Sequence, residues 1–178
     1  MWYQRAIEYF RKNTDSMIAE TPEYLAQRLI KEGNKTIGYF MSLAPEEWHR
    51  KVYSDGAQWR VHQILAHFVA SEIAFNRLIS NILAGGGGSP EDFDINYFNE
   101  RKVLLFKEVP NTDLLLLFEK SRSKNVSLIQ AISPYDLERV GRHPFLGLAP
   151  LSDIIKLIYR HNQIHQRDIR RLISDDPL

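Results

Sequence analysis

Apolar residues recur at helical spacing in four long stretches of the chain, whereas the alternation of a half-buried strand is poor throughout. The first stretch covers about Pro22 to Leu43 and carries Leu25, Leu29 and Phe40. Thr21 stands at its N-cap and Pro22 at the favoured first helical position, and Ala44-Pro45 ends it. The second covers about Trp59 to Ala84, with Val61, Ile64, Leu65, Phe68, Phe75, Leu78, Ile79 and Ile82 on one side. Gly85-Gly86-Gly87-Gly88-Ser89-Pro90 then stops it. The third starts at the capping pair Thr112-Asp113 and reaches about Ile132, and the fourth spans about Leu151 to Ile173, with Ser152 or Asp153 near its cap. Weaker helical patterns cover Trp2 to Glu20 and Tyr97 to Lys107. Four amphipathic helices of roughly 20–26 residues predict an all-α chain folded as an antiparallel four-helix bundle. The expected unit is one domain over residues 1–178, with the bundle in 22–173 and a helical extension in 1–20. The connection from Gly85 to Asn111 is longer than ordinary bundle loops, and its tetraglycine reads as a flexible link.

The fourth stretch holds the most informative residues. Leu151, Ile154, Ile155, Ile158, Ile169, Leu172 and Ile173 form one apolar stripe at about 100° per residue, and His161 and His165 fall inside it. Side chains four apart share a helix face, about 5–6 Å apart at Cβ, so two imidazoles so placed can chelate one metal. The pattern is not the metalloprotease HExxH, because Asn162 stands where the general-base Glu would be. On the second helix His67 lies at the edge of the core face, among Ile64, Ser71, Phe75 and Leu78. His62 lies opposite that face, and His49 and His143 fall in loops. If the second and fourth helices pack together, His67, His161 and His165 converge as three ligands with open positions beside them. The bland alternative is three hydrogen-bonded core histidines, and spacing alone leaves both standing.

Charge and composition narrow the chemistry. With 23 Lys and Arg against 22 Asp and Glu, the net charge of +1 makes no electrostatic case for nucleic acid. Arg167, Arg170 and Arg171 have Asp168, Asp175 and Asp176 beside them and read as a solvated helix end. The absence of cysteine excludes disulfides, thiolate ligands and a cysteine nucleophile, so any thiol must come from outside. No signal-like apolar core opens the chain and no run approaches the roughly 18 apolar residues of a membrane span. A cytoplasmic protein without membrane contact is expected.

Three stretches resemble the DinB/YfiT-like superfamily of small four-helix-bundle metalloproteins. Leu43-Ala44-Pro45-Glu46-Glu47-Trp48 is similar to that family's turn after its first helix. The run from Gln58 to Glu72, with Trp59 and His67, resembles its second-helix signature. His143-Pro144-Phe145-Leu146-Gly147, followed by His161 and His165, resembles its C-terminal signature, and order and spacing agree over residues 22–173. The resemblance implies one divalent metal held by His67, His161 and His165 at the end of a pocket between helices. It also implies a homodimer formed through bundle helices. The Trp2 to Glu20 segment precedes the family's usual start.

Imidazole ligands suit Zn, Ni or Fe, and a three-histidine set leaves room for water or substrate. The resemblance implies a metal-dependent hydrolase or a transferase using a low-molecular-weight thiol cosubstrate, acting on a small molecule. The alternative is a non-catalytic, ligand-binding or metal-free dimeric bundle. Glu72 falls within the apolar stripe of its helix and is a candidate catalytic base or outer support, or else a carboxylate bonded across the bundle. Asp168, three after His165, can orient an imidazole through its second nitrogen or pair with Arg167 or Arg171. His143 can reach the pocket from its loop, while Trp48, Trp59 and Tyr97 read as core or rim.

Overall fold

In a computed structural model of the chain, residues 20–53 and 58–175 are described. Five α-helices are present among them: α1 Pro22–Met41, α2 Val61–Leu83, α3 Ile95–Leu104, α4 Asn111–Gln130 and α5 Leu151–Asp175. The expected helix over Trp2 to Glu20 lies outside the described residues apart from Glu20. Thr21 caps α1 as its sequence position requires, its hydroxyl accepting from Tyr24 N–H at 3.1 Å. The cap of α4 differs from expectation, and α5 starts at the expected residue. Pro110 takes the N-cap place of α4, and α5 opens directly at Leu151, so Thr112, Asp113, Ser152 and Asp153 all lie in first turns. There an acidic side chain meets the positive end of the helix dipole whether or not it caps.

Strand content is small, in keeping with the poor strand signals, but a short hairpin is present. A two-stranded hairpin, β1 Val140–His143 and β2 Gly147–Pro150, precedes α5, with Val140 opposite Pro150 and His143 opposite Gly147. The tetraglycine is no loose link either. Gly88 forms a parallel bridge with Arg142, Arg142 N–H donates to Gly87 O, and Ser89 N–H donates to Arg142 O. The segment therefore docks onto β1 as a third extended piece.

Helices α1, α2, α4 and α5 form the bundle, with α4 and α5 each packed against both α1 and α2. The contacts Glu20–Lys156, Glu32–Gln163 and Thr36–Gln166 ascend together, so α1 and α5 run the same way. His62–Asn111 and Glu72–Arg122 ascend together too, so α2 and α4 run the same way, opposite to the first pair. That arrangement explains the long connection. A helix of 23 residues rises about 34 Å, and the chain must return along that length before α4 can start beside the beginning of α2. On its way back it forms α3, which packs on α2.

Two apolar clusters fill the bundle. One gathers Leu25, Leu29, Ile79, Ile82, Ile129, Leu151, Ile154, Ile155 and Ile158. The other gathers Phe40, Trp48, Trp59, Val61, Ile64, Leu65, Phe68, Leu114, Phe118 and Ile169. Along every bundle helix a buried polar residue separates the two: Glu32 and Thr36 on α1, Glu72 on α2, Arg122 and Asn125 on α4, and Asn162, His165 and Gln166 on α5. Such a belt is tolerated only if its members bond to one another, because an unpartnered buried polar group costs about 1–3 kcal/mol.

Candidate metal centre

The packing of α2 against α5 brings His67, His161 and His165 together as the sequence pattern anticipated. His161 Nε2 lies 2.8 Å from His67 Nε2 and 3.1 Å from His165 Nε2, and one nitrogen from each residue lies within 4.8 Å of the others. A neutral imidazole nitrogen is either an N–H donor or a lone-pair acceptor. Three of them meeting at one point must oppose like atoms or load two donors onto one lone pair. Three lone pairs aimed at a single cation remove the conflict. Nitrogens about 2.1 Å from a tetrahedral ion lie about 3.4 Å apart, close to the separations here. The residues present fit a divalent metal.

Electrostatics agree with ligands that are neutral and unprotonated. Burial pushes His67 and His165 well below the ordinary 6.5, and each is lowered further by its histidine neighbours. Burial brings His161 down to about 4; a hydrogen bond with Asn162 opposes the shift and Arg122 adds to it. Aromatic rings enclose the cluster. Trp59 lies tilted against His67 with centroids 4.7 Å apart, and Phe68 lies 5.7 Å from His161 and 5.6 Å from His165.

The support behind the histidines was only half visible in the sequence. Asp168 does act toward His165, but through Tyr53, whose Oη lies 2.6 Å from His165 Nδ1 and 3.2 Å from Asp168 Oδ2. With the Tyr53 hydroxyl donating to the carboxylate, His165 Nδ1–H donates to Oη and Nε2 keeps its lone pair for a metal. Asp168 also lies 3.7 Å from Arg167, so both of its expected partnerships are partly met. Tyr53 itself was missed, because it sits on an irregular connection with no periodicity to mark it. His67 lacks such support: among the described residues its Nδ1 is buried without a hydrogen-bond partner, and its ring is held by the Trp59 contact.

Glu72 is not brought to the cluster. Both carboxylate oxygens bond to the Arg122 guanidinium, at 3.0 Å to Nε and 2.5 Å to Nη2, and Asn125 Nδ2 donates to Oε2 at 2.7 Å. Arg122 spends its remaining Nη1 on Leu29 O at 3.0 Å. This geometry ties α1, α2 and α4 together and commits both carboxylate oxygens to Arg122 and Asn125. Neither Arg122 nor Asn125 stood out in the sequence, since each looks like one polar residue on an amphipathic helix.

The histidines open on a cavity of about 1160 Å3 between α2, α3, α5 and the hairpin. His143, expected on a loop, instead ends β1 and lines this cavity, stacked on Phe75 with centroids 5.4 Å apart. Trp59 lines the cavity, while Trp48 packs in the core and Tyr97 is exposed. His62 bonds Asn111 on α4 at 2.6 Å, away from the cluster.

A four-helix bundle carrying three inward histidines from two helices is the class defined by this fold and site. The chain belongs to the DinB superfamily, whose pattern matches residues 28–169. Its fold is similar to that of YfiT from Bacillus subtilis, described as "a probable metal-dependent hydrolase with an unusual four-helix bundle topology", at a TM-score of 0.71 and 15% identity over 90% of each chain. An uncharacterised protein from Escherichia coli UTI89 is similar at a TM-score of 0.68 and 14% identity, covering 89% of this chain and 95% of that one. A comparison with curated proteins finds no match. Among the described residues no helix is long and apolar enough to cross a membrane.

Proposed function

We propose that the chain is a metal-dependent enzyme acting on a small molecule, with one divalent transition metal held by His67, His161 and His165. The observation that carries this reading is the convergence of three imidazole nitrogens, from buried His67 and His165 and half-buried His161, on the wall of a cavity large enough for a substrate. Three protein ligands are the pattern of catalytic sites, whereas structural sites close with four. A divalent cation there would supply Lewis acidity and lower the pKa of a water or a thiol. The chain's own residues do the rest: Tyr53 and Asp168 fix the tautomer of His165, and Trp59 and Phe68 keep bulk water from the ligand rings. Hydrolysis is the first chemistry to test, on the description of the Bacillus subtilis neighbour. Thiol transfer needs the same open site and a thiol from outside, since the chain has no cysteine.

Metal analysis of purified protein tests the site. One equivalent is expected in the wild type and none in His67→Ala or His161→Ala; unchanged metal content in both variants would remove the site from consideration. Turnover of an activated ester, compared with turnover of an electrophile in the presence of a low-molecular-weight thiol, then separates hydrolase from transferase. Bound metal with neither activity leaves a binding protein.

A further inference from the structure

His143 stands outside the three-histidine cluster, and the reading above gives it no task. It is only 8% exposed and turns Nδ1 back to its own hairpin. Phe145 N–H donates to that nitrogen at 3.0 Å, and Leu146 N–H approaches it at 3.4 Å. A nitrogen accepting from backbone amides carries no proton, so in the neutral ring the proton sits on Nε2. Burial, with His161 nearby, holds the ring neutral by pushing its pKa down to about 3. Among the described residues nothing accepts from Nε2–H, and the residue lines the cavity. A donor that lines a cavity and has no protein acceptor is open to a ligand or to water.

The charges around the same cavity are unbalanced, although the whole chain carries only +1. Arg77 on α2, Lys102 on α3, and Arg167 and Arg171 on α5 line it, against the single acidic residue Asp168 among the described lining. Asp168 is already engaged by Tyr53 and Arg167. A cleft lined by one sign of charge between low-dielectric walls concentrates ligands of the other sign. Its remaining surface is apolar, with Leu78, Phe93, Phe98 and Phe106 among the lining residues.

We propose that the cavity binds an amphipathic organic anion, an aromatic or aliphatic body carrying a carboxylate or related oxyanion, and that His143 Nε2–H is the fixed donor to one of its oxygens. This deepens the metal-site reading by naming a substrate class and rests on that reading only for the ligand's being a substrate. Binding itself needs no metal.

The test is fluorescence titration with two probes that share one ring system, anilinonaphthalene sulfonate and the uncharged N-phenylnaphthylamine. Titrations are run on the protein as purified and again after chelation, so that failure of the metal reading leaves the result intact. The sulfonate is expected to bind more tightly than the neutral probe, with an affinity that falls as salt is raised. His143→Asn keeps an acceptor for Phe145 N–H but places no donor at the Nε2 position, its own amide NH2 falling short of it, and should weaken the sulfonate by roughly tenfold, the worth of one hydrogen bond to a charged group. Arg171→Gln, at an exposed position, should weaken it by a smaller factor, and neither change should alter the neutral probe. Ala74→Trp, which intrudes into the cavity, should weaken binding of both. Equal affinity for the two probes, equal losses of both in His143→Asn, or a sulfonate affinity unchanged by Ala74→Trp in folded protein would each overturn the proposal.

Discussion

His165 carries a different demand at each ring nitrogen, since Nε2 faces the other two histidines and Nδ1 faces Tyr53. Removing the Tyr53 hydroxyl frees the imidazole to turn or to change tautomer without touching a ligand atom. Tyr53→Phe is expected to retain the metal at saturation but to bind it about 10- to 100-fold more weakly. Competition against a chromophoric chelator measures this, and an unchanged affinity would show that Tyr53 does not orient the ring. Glu72 calls for the opposite outcome. Glu72→Ala strands the buried Arg122 guanidinium, and losing one partner of a buried pair costs about 3–5 kcal/mol. Urea unfolding should show that loss while metal content stays at the wild-type level; lost turnover with unchanged stability would restore Glu72 as a catalytic base. The ligand histidines were legible because a spacing of four on one helix is a local fact. Tyr53 and Arg122 were not, because their partners lie 112 and 50 residues away in the chain.

The four bundle helices were readable from the 3.6-residue period, and their observed ends lie within a few residues of the expected ones. The hairpin escaped notice for a physical reason. Its strands are four residues long, Val140 and Leu148 are exposed, and each strand mainly pairs with the other, so no alternating buried face is written into the sequence. The role of the tetraglycine was hidden likewise. Gly88 has φ +88°, and a Cβ there would run into the Arg142 backbone, whose next residue is His143. Gly88→Ala should destabilise the protein by about 1–3 kcal/mol, combining positive-φ strain with a displaced β1. Gly87→Ala has open space around its Cβ and serves as the control. Thermal unfolding of the two variants settles the comparison, and equal melting temperatures would mean that the segment is only a linker.

For the whole molecule, the cavity wall sets how stability responds to acid. His143 sits beside Phe75 and faces the Phe145 and Leu146 amides, with His161 the titratable group that influences it. Its pKa is about 3 when folded, against an ordinary 6.5. Its contribution is therefore complete above the ordinary value and is lost as pH falls through the interval, because the unfolded chain takes up the proton first. The slope from this one residue is up to about 1.4 kcal/mol per pH unit. In metal-free protein, His143→Asn should flatten the decline of unfolding free energy between about pH 6 and pH 4 by that amount; parallel curves would reject the assignment. The helices, their apolar faces and the three imidazoles are legible along the chain, because helical period and residue type are carried by neighbours in sequence. Tertiary structure decided the parallel pairing of α1 with α5 and α2 with α4, the polar belt's partners, Tyr53 behind His165, and the place of His143. Those depend on which helix faces meet and how the long connection returns the chain, and contacts between distant residues leave no local period to read.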